Sequence, residues 1–418
     1  MSDNDVVSHE AVARKAADAF GVDHHESVIG RPKIMLDGGP ETIRFIDKDG
    51  RRIRNEVNLP YDPYVDALTE DDGQYLYRDM ALVRRFDKEA TALQRQGQLG
   101  LWPGLLGQEA AQIGIGRAMQ PHDYAFPSYR EHGVAWCRGV DPLHLLAMFR
   151  GVDNGAWDPA EKNLHLYTIV IGNQALHAVG YAMGVQRDGA YGTGDPARDT
   201  AVVTFFGDGA TSQGDINESF VFAAVNQSPI VFFCQNNQWA ISEPNERQSR
   251  IPLYQRARGF GFPGVRVDGN DVLACYAVGM HALEHARSGQ GPFLIEAFTY
   301  RMGAHTTSDD PTKYRDSAEV DLWGERDPLY RLKAFLLSLH DTKQEFFDEV
   351  DAEADALAAR IRKACEEMPD PPRENLFNNV YVEDHPGLAR EREEFFEYQA
   401  GFADAGVDAG AAGQGVAR

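Results

Sequence analysis

Continuous apolar runs and helix-spaced apolar positions alternate through the middle of this chain of 418 residues. The run at 201–206 is short and rich in β-branched and aromatic side chains, which is typical of a buried parallel strand. Helix-spaced apolar residues such as Ile216 and Phe220 follow it, and a second apolar run occupies 230–234. Because parallel strands are joined by crossover connections, this order predicts a βαβ unit with a right-handed crossover.

The alternation continues on both sides of this unit. Apolar runs predict strands at 265–267 and 293–300 and a short apolar edge at 169–172. Helical spacing of apolar residues predicts helices at 76–93, 108–119, 141–149, 174–185 and 271–287. We therefore expect an α/β fold, a largely parallel sheet covered by helices on both faces.

Composition changes along the chain predict its larger segments. Residues 151–168 and 306–327 lack apolar periodicity and are interpreted as surface loops, and an apolar stripe on an acidic helix lies beyond Pro328. The chain divides into four predicted segments: an N-terminal arm at 1–74, an α/β domain at 75–325, a C-terminal helical extension at 326–402 and a Gly/Ala-rich disordered tail at 403–418.

The net charge of −23 argues against nucleic acid or an anionic membrane as a partner, because both require a basic face. The acidic composition has two interpretations: adaptation to a high-salt cytoplasm, or the solubility of an ordinary acidic enzyme. The 4 cysteines are scattered and form no C-x-x-C pair, which is typical of a reducing compartment. With no secretory signal and no apolar run of membrane-spanning length, the chain is predicted to be cytoplasmic.

Polar residues follow the two strands of the βαβ unit. Asp208 lies between two glycines after the first strand, and Asn236 and Asn237 end the second. The carboxyl ends of parallel strands are where open α/β sheets bind ligands. One carboxylate, an amide oxygen and backbone carbonyls suit a divalent cation that shares its shell with a phosphate-bearing cofactor. The pattern Ser212-x-x-Asp215 predicts a helix start, whose free N–H groups bind anionic oxygens.

A Gly-Asp-Gly turn, a strand-helix-strand segment and Asn-Asn in this order resemble the thiamine diphosphate motif. The resemblance implies that Asp208, Asn237 and the main-chain carbonyl of Trp239 hold magnesium, and that Gly209 and Ala210 contact the cofactor.

Several further segments surround this motif in order: Tyr77-Arg78-Asp79-Met80, Gly107-Gln108-Glu109-Ala110-Ala111, Ser128-Tyr129-Arg130-Glu131-His132-Gly133, Val267-Asp268-Gly269-Asn270-Asp271-Val272 and Tyr300-Arg301-Met302-Gly303-Ala304-His305. Together they are similar to the alpha subunit of the decarboxylating first component of 2-oxo acid dehydrogenase complexes, over about residues 75–339. The segment at His305 is closer to branched-chain 2-oxo acid enzymes and their prokaryotic pyruvate relatives than to mitochondrial pyruvate enzymes.

Five more residues are candidates for the site. Tyr129 and Arg130 offer a hydroxyl and a guanidinium fork for a terminal phosphate. His305 is the candidate catalytic residue, an imidazole poised near neutrality that stabilises or protonates oxygens of the reacting adduct. From sequence alone Ile169 and Ile171 are core residues. The resemblance instead makes Ile171 the apolar support of a bent thiamine and gives the Ile169 carbonyl to the aminopyrimidine.

The resemblance implies thiamine diphosphate- and magnesium-dependent oxidative decarboxylation of a small-molecule 2-oxo acid and reductive acylation of a lipoyl group on a partner acyltransferase. It also implies a separate beta subunit in an α2β2 heterotetramer, without which the chain is inactive. Two alternatives stay open: an acetoin dehydrogenase alpha subunit, and a non-catalytic interaction subunit that retains the fold. The segment 155–165 departs from the family pattern near the substrate entrance, which leaves the preferred acid open.

Overall fold

The computed structural model of the chain describes residues 38–153, 155, 157–339 and 341–404. Residues 1–37 of the predicted arm and 405–418 of the predicted tail lie outside the described residues. The chain forms two compact units, which meet in sequence between Glu366 and Glu367.

A parallel sheet forms the centre of the larger unit. Its strands are β1 (Tyr124–Phe126), β2 (Val202–Gly207), β3 (Ile230–Asn236), β6 (Gly264–Asp268) and β7 (Phe293–Phe298), and a two-stranded hairpin is formed by β4 (Trp239–Ala240) and β5 (Glu243–Pro244). The order is β1-β2-β3-β7-β6, and all neighbours are parallel. The predicted parallel sheet is therefore confirmed.

Helices connect and cover these strands. They are α1 (Asp62–Asp66), α2 (Glu70–Arg95), α3 (Glu109–Ala118), α4 (His132–Cys137), α5 (Pro142–Arg150), α6 (Pro159–Lys162), α7 (Asn173–Arg187), α8 (Gly214–Asn226), α9 (Asn245–Gln248), α10 (Arg256–Phe260), α11 (Val272–Arg287), α12 (Ser317–Gly324), α13 (Pro328–Leu337), α14 (Gln344–Glu366) and α15 (Pro386–Asp404). Short 3-10 helices occupy Glu56–Asn58, Asp208–Ser212, Leu253–Gln255, Pro311–Lys313 and Arg373–Leu376.

Both faces of the sheet are buried. Successive side chains of a strand point to opposite faces, so one strand contributes to two separate cores. Val203 and Phe205 belong to a core shared with α2, α3, α11, α13 and α14. Val202 and Phe206 belong to a second core shared with α7, α8 and α10. The helices therefore cover the sheet on both faces, as the continuous apolar runs predict.

The described part of the N-terminal arm is tied to the sheet edge. Ile43 bridges Val267 of β6 in parallel fashion, and Phe45 and Ile46 are fully buried. The buried Asp271 carboxylate accepts hydrogen bonds from the backbone N–H groups of Phe45 (2.6 Å) and Ile46 (2.8 Å). Its other oxygen caps α11. One carboxylate thus joins the arm to the helix that follows β6.

We expect Asp271→Ala to lower the free energy of unfolding by about 3 kcal/mol, since it removes a helix cap and leaves two buried N–H groups unpaired. Asp316→Ala, which removes only the exposed cap of α12, is expected to cost about 1 kcal/mol. Urea denaturation of both variants measures the difference. Equal losses would contradict the joining role of Asp271.

Three local predictions are wrong. Ser212 does not cap α8; the chain first makes a 3-10 turn after Asp208, so the helix starts later and the Gln213 side chain caps it. The predicted loop at 306–327 contains α12, whose Trp323 is buried. The predicted loop at 151–168 contains α6, and its Leu164 pairs with Ala125 of β1.

The smaller unit consists of a 3-10 turn and α15, with Phe377 packed against Phe395 and Phe396. The predicted segment boundaries, including the extension at 326–402, stay a prediction. None of the helices formed by the described residues is long and apolar enough to cross a membrane.

Candidate active site

A cavity of about 270 Å³ opens at the carboxyl ends of β2 and β3. It lies where the βαβ unit predicts a ligand site. Nine of the ten predicted site residues line it: Tyr129, Arg130, Ile171, Asp208, Gly209, Ala210, Asn237, Trp239 and His305.

Three residues that line this cavity carry oxygen atoms of the metal-ligand type. The Asp208 carboxylate is 1% exposed, and burial raises its pKa to about 7. The carboxamide oxygen of Asn237 accepts a hydrogen bond from the Trp239 N–H at 3.2 Å, and the Trp239 carbonyl accepts one from Arg301 at 2.7 Å. Among the residues that the structure describes, no three His, Cys, Asp or Glu side chains gather to hold a metal ion. One carboxylate with neutral oxygens suits Mg²⁺ better than a soft transition metal.

Cationic groups face this oxygen set. Arg130 and Arg301 approach the Nδ1 atom of His305 at 3.3 Å and 3.4 Å. Because guanidinium groups only donate, Nδ1 acts as the acceptor and Nε2 carries the proton. Burial, then the charges of Arg130 and Arg301, lower the pKa of His305 to about 3. His305 therefore does not have the near-neutral pKa that the sequence suggested: its imidazole is neutral, and its Nε2–H is available to donate a hydrogen bond.

The loop that carries His305 is fixed by its own residues. Asp309 accepts a hydrogen bond from the His305 N–H at 2.8 Å and another from the Tyr314 hydroxyl. Arg315 donates to the backbone carbonyls of residues 301–303. These bonds hold the imidazole against the cavity.

The turn that carries Tyr129 and Arg130 is shaped by a buried carboxylate. Glu131 accepts hydrogen bonds from the N–H (2.6 Å) and hydroxyl (2.7 Å) of Ser128, and from Gln235 of β3 at 2.6 Å. Burial raises the pKa of Glu131. Both oxygens of this carboxylate are thus engaged in holding the turn to the sheet.

The apolar edge at 169–172 is not core. Ile169 is 61% exposed and Ile171 is 45% exposed, because the segment leads into α7 without joining the sheet. Ile171 lines the cavity, whereas Ile169 is the predicted site residue that lies outside the lining. The interpretation of both side chains as core is therefore wrong.

Residues with no role predicted from sequence also line the cavity. Three of them carry buried polar atoms with no hydrogen-bond partner among the described residues: Gln108 Nε2, Gln174 Oε1 and Arg301 Nε. An unpaired buried polar group lowers the free energy of unfolding by about 1–3 kcal/mol. A polar ligand that pairs with these atoms would remove that cost. Gln108 and Arg301 lie inside segments that resemble the family, and this position was the only indication from sequence that they belong to the site.

The β4–β5 hairpin closes one side of the cavity with a strained residue. Ile241, in the hairpin turn, has φ +56°, which is unusual for a β-branched side chain. Arg301 holds its carbonyl at 2.8 Å. A Cβ added to Gly209 would lie 2.6 Å from the Ala240 Cβ, so only glycine lets the hairpin pack this closely on the Asp208 turn.

We expect Ile241→Gly to stabilise the protein by about 1 kcal/mol, because glycine adopts positive φ without strain. Ile251→Gly is the matched control, since Ile251 is similarly exposed without positive φ. That control is expected to destabilise by about 1 kcal/mol through unfolded-state entropy. Thermal unfolding compares the two, and a loss of stability in both would contradict the strain.

The parallel sheet carries the Asp208–Asn237 oxygen set and the Arg130–His305 pair, and sequence similarity identifies the class of protein to which the chain belongs. The sequence profile of the dehydrogenase E1 component family matches residues 77–376, and the chain belongs to this family. Within the family the chain is of the alpha-subunit type, as its relatives show.

One relative is the 3-methyl-2-oxobutanoate dehydrogenase subunit alpha of Mycobacterium tuberculosis, 45% identical over 78% of this chain and 87% of the relative. Another is the pyruvate dehydrogenase E1 component subunit alpha of Acholeplasma laidlawii, 37% identical over 78% of this chain and 93% of the relative. The Bacillus subtilis protein of the same name is 38% identical over 71% of this chain and 76% of its own length.

Proposed function

We propose that this chain is the alpha subunit of a thiamine diphosphate- and magnesium-dependent 2-oxo acid dehydrogenase that acts on branched-chain 2-oxo acids. The observation that carries the proposal is that one cavity is lined by the oxygen-bearing residues Asp208, Asn237 and Trp239 together with Arg130 and His305. The 45% identity to a 3-methyl-2-oxobutanoate enzyme, against 37% and 38% to pyruvate enzymes, favours the branched-chain substrate.

The cavity residues fit the two groups. Asp208, Asn237 and the Trp239 carbonyl would hold Mg²⁺, and the unpaired donors of Gln108 and Arg301 suit diphosphate oxygens. When bound, thiamine diphosphate supplies the electron sink that decarboxylation of a 2-oxo acid needs. In the overall reaction the acid loses CO2, its acyl carbon is oxidised, and a lipoyl disulfide is reduced as it accepts the acyl group.

The residues of this chain would position the cofactor and polarise the reacting oxygen. Arg130 and Tyr129 would bind the terminal phosphate through the guanidinium and hydroxyl. The Nε2–H of neutral His305 would donate to an oxygen that gains negative charge, without needing a proton from solvent. Ile171 and Ile241 would exclude water from the mouth of the cavity.

The proposal includes a separate beta subunit that completes the site. Two carboxylates line the cavity: Glu131 is engaged with Ser128 and Gln235, and Asp208 is assigned to the metal. No third carboxylate lines the cavity among the residues that the structure describes, and the group that activates the aminopyrimidine is assigned to the partner. The assembly is proposed to be α2β2, and a lipoyl-bearing acyltransferase is its acceptor.

Exposed apolar side chains on α7 and α8 suit such a subunit. We define the α7–α8 face by the exposed side chains of Tyr181, Val221, Phe222 and Val225, with Ile169 at the start of α7. Val225 alone is 78% exposed. Exposed apolar patches of this kind mark protein interfaces.

Phe222→Asp is expected to prevent copurification of the beta subunit, since a charge in an apolar interface is desolvated without a partner. Size-exclusion chromatography with light scattering of the co-expressed subunits measures assembly. Leu59→Asp, which alters an exposed leucine outside this face, should assemble normally. An intact heterotetramer with Phe222→Asp would contradict the assignment of the face.

The activity test uses the chain co-expressed with its beta partner, thiamine diphosphate, Mg²⁺ and an artificial electron acceptor. We expect CO2 release from branched-chain 2-oxo acids at higher kcat/KM than from pyruvate, 2-oxobutyrate or 2-oxoglutarate. Acetoin oxidation in place of CO2 release would overturn the proposal. Preference for pyruvate would overturn only its substrate.

A further inference from the structure

The cavity wall contains a buried carboxamide whose two ends have different roles. Gln108 is fully buried, directly before α3. Its oxygen accepts a hydrogen bond from the Asn237 NH2 at 3.1 Å. Its own NH2 has no partner among the described residues. A residue that leaves a buried donor unpaired inside a ligand cavity requires an explanation.

The orientation of this pair is determined by the backbone. The Trp239 N–H is a donor, so the atom of Asn237 that receives it at 3.2 Å is the amide oxygen. The Asn237 NH2 must then point to Gln108, which presents its oxygen in return. The Gln108 NH2 is consequently the end left without a partner.

The chain before Gln108 is held in place by the extension of β7. The Thr299 hydroxyl donates to the Gly107 carbonyl at 2.9 Å. Gly107 has φ +95°, and a Cβ added there would lie 2.4 Å from the Tyr300 carbonyl oxygen. Although Gln108 is the N-cap residue of α3, its side chain caps nothing. The side chain therefore does not cap the helix and instead lines the cavity.

We propose that Gln108 both orients the metal ligand Asn237 and donates a hydrogen bond to an oxygen of the bound diphosphate. Its oxygen holds the Asn237 amide so that the Asn237 oxygen faces the cation. Its NH2 donates to the anionic diphosphate oxygen, which is the partner that the described residues do not supply. This inference rests on the proposed function.

Two variants separate the two roles. Gln108→Glu keeps an acceptor for the Asn237 NH2 but replaces the donor with a carboxylate oxygen. Gln108→Met removes both ends. Binding is measured on the complex with the beta subunit, by calorimetric titration with thiamine diphosphate at fixed Mg²⁺, with Mg²⁺ at fixed cofactor, and with thiamine alone.

We expect both variants to bind thiamine diphosphate at least about 10-fold more weakly, because a hydrogen bond to a charged oxygen is lost. Only Gln108→Met should also need more Mg²⁺ for half-saturation. Thiamine, which has no diphosphate, should bind all three proteins equally. Gln186→Met, which alters a glutamine outside the cavity lining, controls for loss of a side-chain amide.

Cofactor affinities within twofold of wild type would overturn the inference, as would an equal loss for thiamine, which would indicate general distortion. Melting temperatures of the cofactor-free complexes separate a folding defect from a binding defect. A wild-type complex that binds no thiamine diphosphate would instead overturn the proposed function itself.

Discussion

Asp208→Ala is expected to abolish magnesium-dependent binding of thiamine diphosphate and, with it, all turnover. The side chain is the one carboxylate in the oxygen set, and it is 1% exposed. Without it the cation would be held by neutral oxygens alone. Loss of an outer-shell partner costs a metal site about 10–100-fold in affinity, and loss of the anionic ligand itself should cost more.

The measurement is calorimetric titration of the assembled complex with cofactor and Mg²⁺, followed by CO2 release. Asp215→Ala is the control, because Asp215 lies in the first turn of α8 outside the cavity lining. Chelation by EDTA should remove the activity of the wild type, and added Mg²⁺ should restore it. Wild-type cofactor affinity in Asp208→Ala would contradict the metal role.

His305→Ala is expected to lower kcat by about 10²–10³-fold, with a much smaller change in cofactor affinity. The imidazole contributes one preorganised donor, and loss of such a donor has this effect in other enzymes. Two guanidinium groups fix its tautomer, and they remain in the variant. The phosphate site should therefore stay largely intact while the reacting oxygen loses its partner.

His305→Gln is a more informative variant, since its amide retains an N–H donor and should recover part of the rate. His144→Ala, at an exposed position of α5, serves as the control. Steady-state kinetics with saturating cofactor separates kcat from binding. If His305→Ala lost cofactor affinity and kept kcat, His305 would be a binding residue instead of a catalytic one.

The central βαβ unit was predictable because its signals are local. Apolar runs at 201–206 and 230–234 are strands, and the carboxylate and amide that end them face one cavity. The wrong predictions concern apolar or polar stretches whose burial depends on distant parts of the chain. Ile169 is apolar and exposed, while Leu164, in a stretch with no periodicity, is buried against β1.

The rest of the site depends on pairs far apart in sequence. Gln108 meets Asn237 across 129 residues, and Arg130 meets His305 across 175 residues. No spacing rule connects such pairs, so only the resemblance indicated His305, and nothing indicated the role of Gln108. The lowered pKa of His305 likewise follows from its burial and from two arginines that only the folded chain brings together.

The arm has a consequence for synthesis of the protein. Phe45 is synthesised 226 residues before Asp271, the residue whose carboxylate receives its N–H. At a synthesis rate of roughly 5–20 residues per second, making the intervening residues takes on the order of 10–45 s. During this time Val267 and Asp271, the partners of Ile43 and Phe45 in the folded protein, are not yet synthesised. Chains that terminate before Asp271 lack this carboxylate, and we expect them to be degraded more readily than the full chain.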